Sequence, residues 1–169
     1  MDVLIVYGTY SGGTLEVAHE IANTLTEQGH KTTLENIMTT SDAGTYALND
    51  AKVLEGVKSH DLVIIGSCTW FEEGEEGQMH SGFRMFEKKT DPTTFEGVNF
   101  AIYALGDSNY AQFCRAAEHL EKFIADKKGS VAVPSLRINR YYARPQEVKK
   151  TIRQWVQQLL TTAKEKPRS

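Results

Sequence analysis

Apolar residues run unbroken through Val3-Leu4-Ile5-Val6-Tyr7, again through Leu62-Val63-Ile64-Ile65 and again from Phe100 to Leu105, each run bounded by polar or glycine-rich sequence. A strand with one wet face alternates apolar and polar residues, so continuous runs of this length predict strands covered on both faces. With two more stretches of the right length, the pattern predicts five strands at 2–7, 31–36, 61–67, 99–105 and roughly 131–138. Between them the period changes to that of helices. Val17, Ile21 and Leu25 share a face, with Gly29 as the stop signal. Phe83 and Phe86 belong to a helix starting near Met79, and Ala116, Leu120, Phe123 and Ile124 to one ending near Gly129. After Pro145 a last helix carries Val148, Ile152, Trp155, Val156, Leu159 and Leu160 on one face. The stretch 39–58 predicts one short helix, with Tyr46, Leu48, Val53, Leu54 and Val57 behind a polar entry loop.

Strands alternating with helices, and covered on both faces, imply an α/β three-layer sandwich: a five-stranded parallel sheet of order 2-1-3-4-5 with helices on both faces. In that arrangement ligands bind at the C-terminal ends of the first and third strands, where the strand order reverses. At 169 residues and 40% apolar content, the chain fits one domain with a core of its own. Asp2 and the short first apolar run argue against a signal peptide, and no stretch reaches the length of a membrane span. Cys68 and Cys114 have neither disulfide-framework nor metal spacing, which points to a reducing cytoplasm. The start at Met1 and the polar residues 164–169 favour a standalone protein of one domain, 1–163, with a polar tail.

The first strand leads into Gly8-Thr9-Tyr10-Ser11-Gly12-Gly13-Thr14 and then a helix. A loop of hydroxyls and glycines at this place aims backbone N–H groups into one concavity at the positive end of the helix dipole, which suits a phosphate. It lacks the Gly-Lys-Ser/Thr ending of a nucleoside triphosphate loop and the G-x-G-x-x-G of a dinucleotide loop. With no lysine, the N–H groups and the hydroxyls of Thr9, Ser11 and Thr14 must meet the charge, which suits one phosphate monoester. A second loop, from Ser67-Cys68-Thr69-Trp70-Phe71 to Gly77, follows the third strand. A third, Gly106-Asp107-Ser108-Asn109-Tyr110, follows the fourth and leads to Phe113-Cys114. All three share one rim. Trp70 and Tyr110 then come within reach of one ligand, and a planar ring with a phosphate tail, such as FMN, meets every requirement.

The T-x-S-G-G-T after the first strand, the S-x-T-W after the third and the G-D-S-N-Y-x-x-F-C after the fourth closely resemble those of the flavodoxins, short-chain type, across essentially the whole chain. The resemblance implies a flavodoxin-like fold and a cytoplasmic, low-potential carrier of single electrons on non-covalently bound FMN. Residues 9–14 (Thr9, Tyr10, Ser11, Gly12, Gly13 and Thr14) would hold the phosphate, and Trp70 and Tyr110 would flank the isoalloxazine. Thr69 would meet the flavin edge through its backbone, with Cys68 and Phe71 beside it. Asp107 would lie near the pyrimidine end, Cys114 would offer a backbone N–H, and Leu105, Gly106, Asn109 and Phe113 would complete the third loop. A peptide carbonyl after the tryptophan turns toward the reduced flavin in this family. Here Phe71-Glu72 stands where glycine is common, so the turn costs roughly 1 kcal/mol more. Gly13 replaces a frequent asparagine, with loss of one side-chain hydrogen bond.

No catalytic constellation and no metal spacing of His19, His30, His60, His80 or His119 accompanies these motifs, so no substrate-turnover site is expected. Residues 1–110 carry 6 basic and 17 acidic side chains, and residues 111–169 carry 13 basic and 5 acidic. An acidic half around the site, including Glu72, Glu73, Glu75 and Glu76, would steer basic partners and repel nucleic acid. The expected partners are a basic-surfaced reductase and acceptor enzymes, with the chain itself a monomer. Two other functions compete: an FMN-dependent quinone or nitro reductase of similar fold, and an accessory module that has lost its flavin.

Overall fold

The computed structural model describes residues 1–165. In chain order the elements are β1 (Asp2–Gly8), α1 (Gly13–Glu27), β2 (Lys31–Asn36), β3 (Met38–Thr40), β4 (Tyr46–Leu48), α2 (Asp50–Ser59), β5 (Leu62–Cys68), β6 (Trp70–Glu72), β7 (Glu75–Gln78), α3 (Ser81–Lys89), β8 (Asn99–Gly106), α4 (Ala116–Asp126), β9 (Ser130–Val131), β10 (Leu136–Asn139) and α5 (Pro145–Glu165). The main sheet has the order β10-β8-β5-β1-β2, with β9 also on β8, and every pairing in it is parallel. This is the predicted order. Successive β1 side chains go to opposite layers: Val3 and Ile5 pack with α1 and α5, Leu4 and Val6 with α2, α3 and α4. The apolar runs are continuous because both faces are covered.

Three expectations need correction. The fifth strand is two short pieces, β9 and β10, with Pro134 between them, since proline has no N–H to give to the ladder. The helix expected in 39–58 begins only at Asp50, and Tyr46 and Leu48 lie instead in the β3-β4 hairpin. The segment after β5, expected as a loop, contains a second hairpin, β6-β7. Its two-residue turn has both residues left-handed, Glu73 at φ 49° and Gly74 at φ 82°, the geometry that matches strand twist in a tight hairpin. Of the polar tail expected from 164 onward, residues 166–169 lie outside the described residues, and α5 continues to Glu165.

The parallel registers pair Gly8 with Ser67, Cys68 with Leu105 and Gly106 with Asn139. Four strand ends therefore open onto one edge, and the loops that follow them share it.

Candidate functional site

A cavity of about 470 Å³ lies at this edge, within the range of small-molecule and cofactor sites. Ser11, Gly13 and Thr14 line it from the first loop, and residues 68–71 from the second. Leu105, Gly106, Asp107 and Tyr110 line it from the third. The three loops thus converge as the sequence predicts. Trp70 and Tyr110 are 54% and 68% exposed, although both border the cavity. Rings so open to solvent have surface left to give to a ligand.

The hydroxyl loop is held by its own bonds. Thr9 Oγ1 accepts from Gly12 N at 2.9 Å, and left-handed Gly12 precedes α1. Tyr103, fully buried under the site, donates its hydroxyl to the Thr14 carbonyl at 2.9 Å. Thr14 itself is only 1% exposed, and its side-chain oxygen has no partner among the described residues. A buried hydroxyl left unpaired costs about 1–3 kcal/mol unless something binds it. Thr14 is also one of the residues that line the cavity.

Tyr10 does other work. Its ring stacks on His80 with centroids 4.2 Å apart, its hydroxyl donates to Glu72, and Ser81 N donates to that hydroxyl at 3.0 Å. It also meets Trp70 at 5.9 Å, tilted. The hydroxyl loop is thereby tied to the hairpin that carries the indole. His80, buried at the start of α3, caps that helix by accepting from Gly82 N through Nδ1 at 3.0 Å, and donates its backbone N–H to Ser67 Oγ at 2.8 Å. An accepting Nδ1 means a neutral ring. Burial holds the His80 pKa below its ordinary value, against the opposing pull of Glu72.

In the third loop Asp107 builds a turn, its side chain accepting from Asn109 N at 2.8 Å and its carbonyl from Tyr110 N at 3.0 Å. That turn fixes where Tyr110 stands. Cys114 is buried with φ 49°, its thiol 3.5 Å from the carbonyls of Ala104 and Ile138. Burial raises the Cys114 pKa to about 12 and that of Cys68 to about 11. Neither is a thiolate nucleophile near neutral pH.

Six of the expected ligand residues, Thr9, Tyr10, Gly12, Asn109, Phe113 and Cys114, lie outside the cavity wall. Thr9, Asn109 and Tyr10 shape or brace the loops, as their bonds indicate. Conversely, Gln112 and residues 140–142 line the cavity without having been expected, and Glu76 and Gly77, expected only as part of the second loop and its acidic cluster, line it too. The last three follow β10, whose C-terminal end reaches the same rim. Strand topology alone carried that signal.

The acidic hairpin is less free than its composition suggests. Glu73 pairs with Arg84 at 2.7 Å, Glu75 accepts from Gln78 at 3.1 Å and Glu72 holds Tyr10. Of the four glutamates only Glu76 borders the cavity.

The sequence profile of the flavodoxin family matches residues 5–155. A flavodoxin from Nitratidesulfovibrio vulgaris is 26% identical over 161 residues, 95% of this chain and 97% of the relative. The crystal structure of oxidised flavodoxin 2 from Bacillus cereus superposes with a TM-score of 0.73 at 21% identity, covering 95% of this chain and 99% of that one. A flavodoxin from Fusobacterium nucleatum bound to flavin mononucleotide superposes at 0.72 and 16% identity, covering 95% and 97%. At these identities the two structures bear on the fold alone.

Proposed function

The chain belongs to the flavodoxin family, and from that membership we propose a carrier of single electrons that holds FMN non-covalently in the cavity between Thr14, Trp70 and Tyr110. The observation that carries the site assignment is that Thr14, whose buried hydroxyl has no partner among the described residues, lines that cavity together with two exposed aromatic rings. A hydroxyl and a helix N-terminus suit a phosphate; an indole and a phenol suit a flat ring. The donors present therefore fit FMN, which when bound supplies reversible one-electron chemistry.

The residues of the chain then have distinct tasks. Thr14 Oγ1 donates to phosphate and loses its unpaired state. Ser11 and Gly13 present backbone beside it. Trp70 and Tyr110 cover the ring faces and keep water from them. Asp107 and Glu76 place negative charge near the ring end, which disfavours accumulation of a second negative charge there and lowers the potential for full reduction. No side chain has to move a proton to or from a substrate. We take the chain to be without a substrate-turnover site.

Electron transfer needs an exposed edge, and Trp70, Phe71 and Tyr110 are all exposed beside the cavity. With Glu73, Glu75 and Glu76 around them, this mouth suits a basic-surfaced reductase and acceptor proteins of similar charge. Among the described residues no helix is long and apolar enough to cross a membrane. We place the chain in the cytoplasm as a monomer.

The test is an absorption spectrum of the purified protein followed by stepwise anaerobic reduction. A flavin spectrum that NADPH alone leaves unbleached, and that bleaches when a flavodoxin reductase is added, is the expected result. Direct bleaching by NADPH would favour the reductase reading, and a protein unable to take up FMN would favour the flavin-free module.

A further inference from the structure

The turn after β10 holds two residues that bear on the same cavity from a side the hydroxyl loop does not cover. Arg140 is left-handed, with φ 49°, and donates its backbone N–H to the Gly106 carbonyl at 2.9 Å. L residues avoid that conformation. Residues 141–143 then form one 3-10 turn from which the Tyr142 hydroxyl donates to the Ser11 carbonyl at 3.4 Å. The same hydroxyl would stand 3.1 Å from a Cβ added at Gly13, and Leu105 Cδ2 would stand 3.2 Å from it. Gly13 is not among the residues with positive φ. Its backbone therefore makes no demand for glycine, which weakens a helix start relative to alanine. Room for the phenol is the physical reason for it.

Charge gives the second half of the argument. The hydroxyl loop has no cation of its own, yet Arg140 lines the cavity together with Ser11, Thr14 and Tyr142. Neighbouring Arg137 donates to the Cys114 carbonyl at 3.0 Å, and Arg144 pairs with Glu147 at 3.5 Å. The Arg140 guanidinium has no hydrogen bond or ion pair among the described residues. Arg140 and Thr14, each with a side-chain group unpartnered among the described residues, thus line one cavity, and Arg140 also lines a second beside it.

We propose that Arg140 and Tyr142 clasp the phosphate end of FMN, the guanidinium supplying the positive charge the hydroxyl loop lacks and the phenol filling the space a side chain at position 13 would take and bracing the loop by donating to the Ser11 carbonyl. This rests on the reading of the cavity as an FMN site and adds a fourth segment to it. The phosphate is a dianion near neutral pH, so a charge-assisted contact is the stronger of the two.

The experiment compares flavin-free protein binding FMN with its binding riboflavin, which has the ring and ribityl chain but no phosphate. Arg140→Gln should weaken FMN about tenfold and riboflavin less than about twofold, and Arg140→Lys should recover most of the loss. Tyr142→Phe should weaken FMN about threefold and spare riboflavin. Added salt should weaken FMN binding more in the wild type than in Arg140→Gln. Equal losses for both flavins, or no loss for either, would overturn the clasp and leave the turn as a mere wall. Failure of the wild type to bind either flavin would overturn the FMN site itself, a separate result.

Discussion

Thr14→Val removes the unpaired hydroxyl and keeps the side-chain shape, so it separates what the residue does for the fold from what it does for the ligand. Thr14 is 1% exposed and its side-chain oxygen has no partner among the described residues, whereas its backbone carbonyl is fixed by Tyr103 at 2.9 Å and survives the change. Without flavin, the wild type carries a buried unsatisfied donor at a cost of about 1–3 kcal/mol. Valine relieves it, and about 1 kcal/mol of gained stability raises the unfolding midpoint of a chain this size by about 2–4 °C. With flavin the sign reverses, because a hydrogen bond to a charged phosphate contributes about 1.5–3 kcal/mol, or roughly a 10- to 100-fold loss of FMN affinity. Thermal unfolding of flavin-free protein and an FMN titration read the two effects. A variant that melts lower without flavin, yet binds FMN as the wild type does, would refute the reasoning.

Neutralising Glu72, Glu73, Glu75 and Glu76 together should raise the potential for full reduction of bound FMN by only about 20–50 mV, since one bare carboxylate about 8 Å away is worth about 90 mV before screening, and only Glu76 borders the cavity; potentiometric titration measures it, and a much larger shift would contradict the geometry. The same variant should slow reaction with a basic reductase at low salt, and stopped-flow rates indifferent to both salt and charge would remove the steering role. Burial lowers the His80 pKa from its ordinary 6.5, so the unfolded chain takes up this proton before the folded one. The contribution is complete above about 6.5 and declines as pH falls below it, and the unfolding midpoint should drop more steeply toward pH 5.5 in the wild type than in His80→Gln; equal slopes would contradict the buried neutral ring. With pKa values of about 11 and 12, Cys68 and Cys114 should react with a disulfide reagent at pH 8 far more slowly than the unfolded chain's thiols, and rates matching free thiol would count against their burial.

Sequence pattern reached the sheet order because β1, β5 and β8 are buried on both faces and so carry the least ambiguous signal a strand can have. It reached the three loops because topology places the ends of those strands together. The same logic extended to β10 would have found Arg140 and Tyr142, but Pro134 blurs the fifth strand and hides where it ends. Tyr10 was expected at the phosphate on position in the motif alone. What its side chain does was not foreseen: the ring stacks on His80 and the hydroxyl donates to Glu72, residues 62 or more away in sequence that leave no local trace. The β6-β7 hairpin was hidden by composition: Glu73 in a left-handed turn reads as solvated loop until its pairing with Arg84 is seen. Charge counting likewise treated four glutamates alike, although three are held by Tyr10, Arg84 and Gln78.

The most direct test of the account is a fluorescence titration of FMN with flavin-free protein, in the wild type and in a Trp70→Ala/Tyr110→Ala double variant. The account predicts that flavin emission is quenched to an end point at one protein per flavin in the wild type, and that the double variant binds more weakly and leaves the bound flavin bright. Unquenched emission in the wild type, or equal quenching in the double variant, would contradict the claim that an indole and a phenol from two separate loops hold the ring.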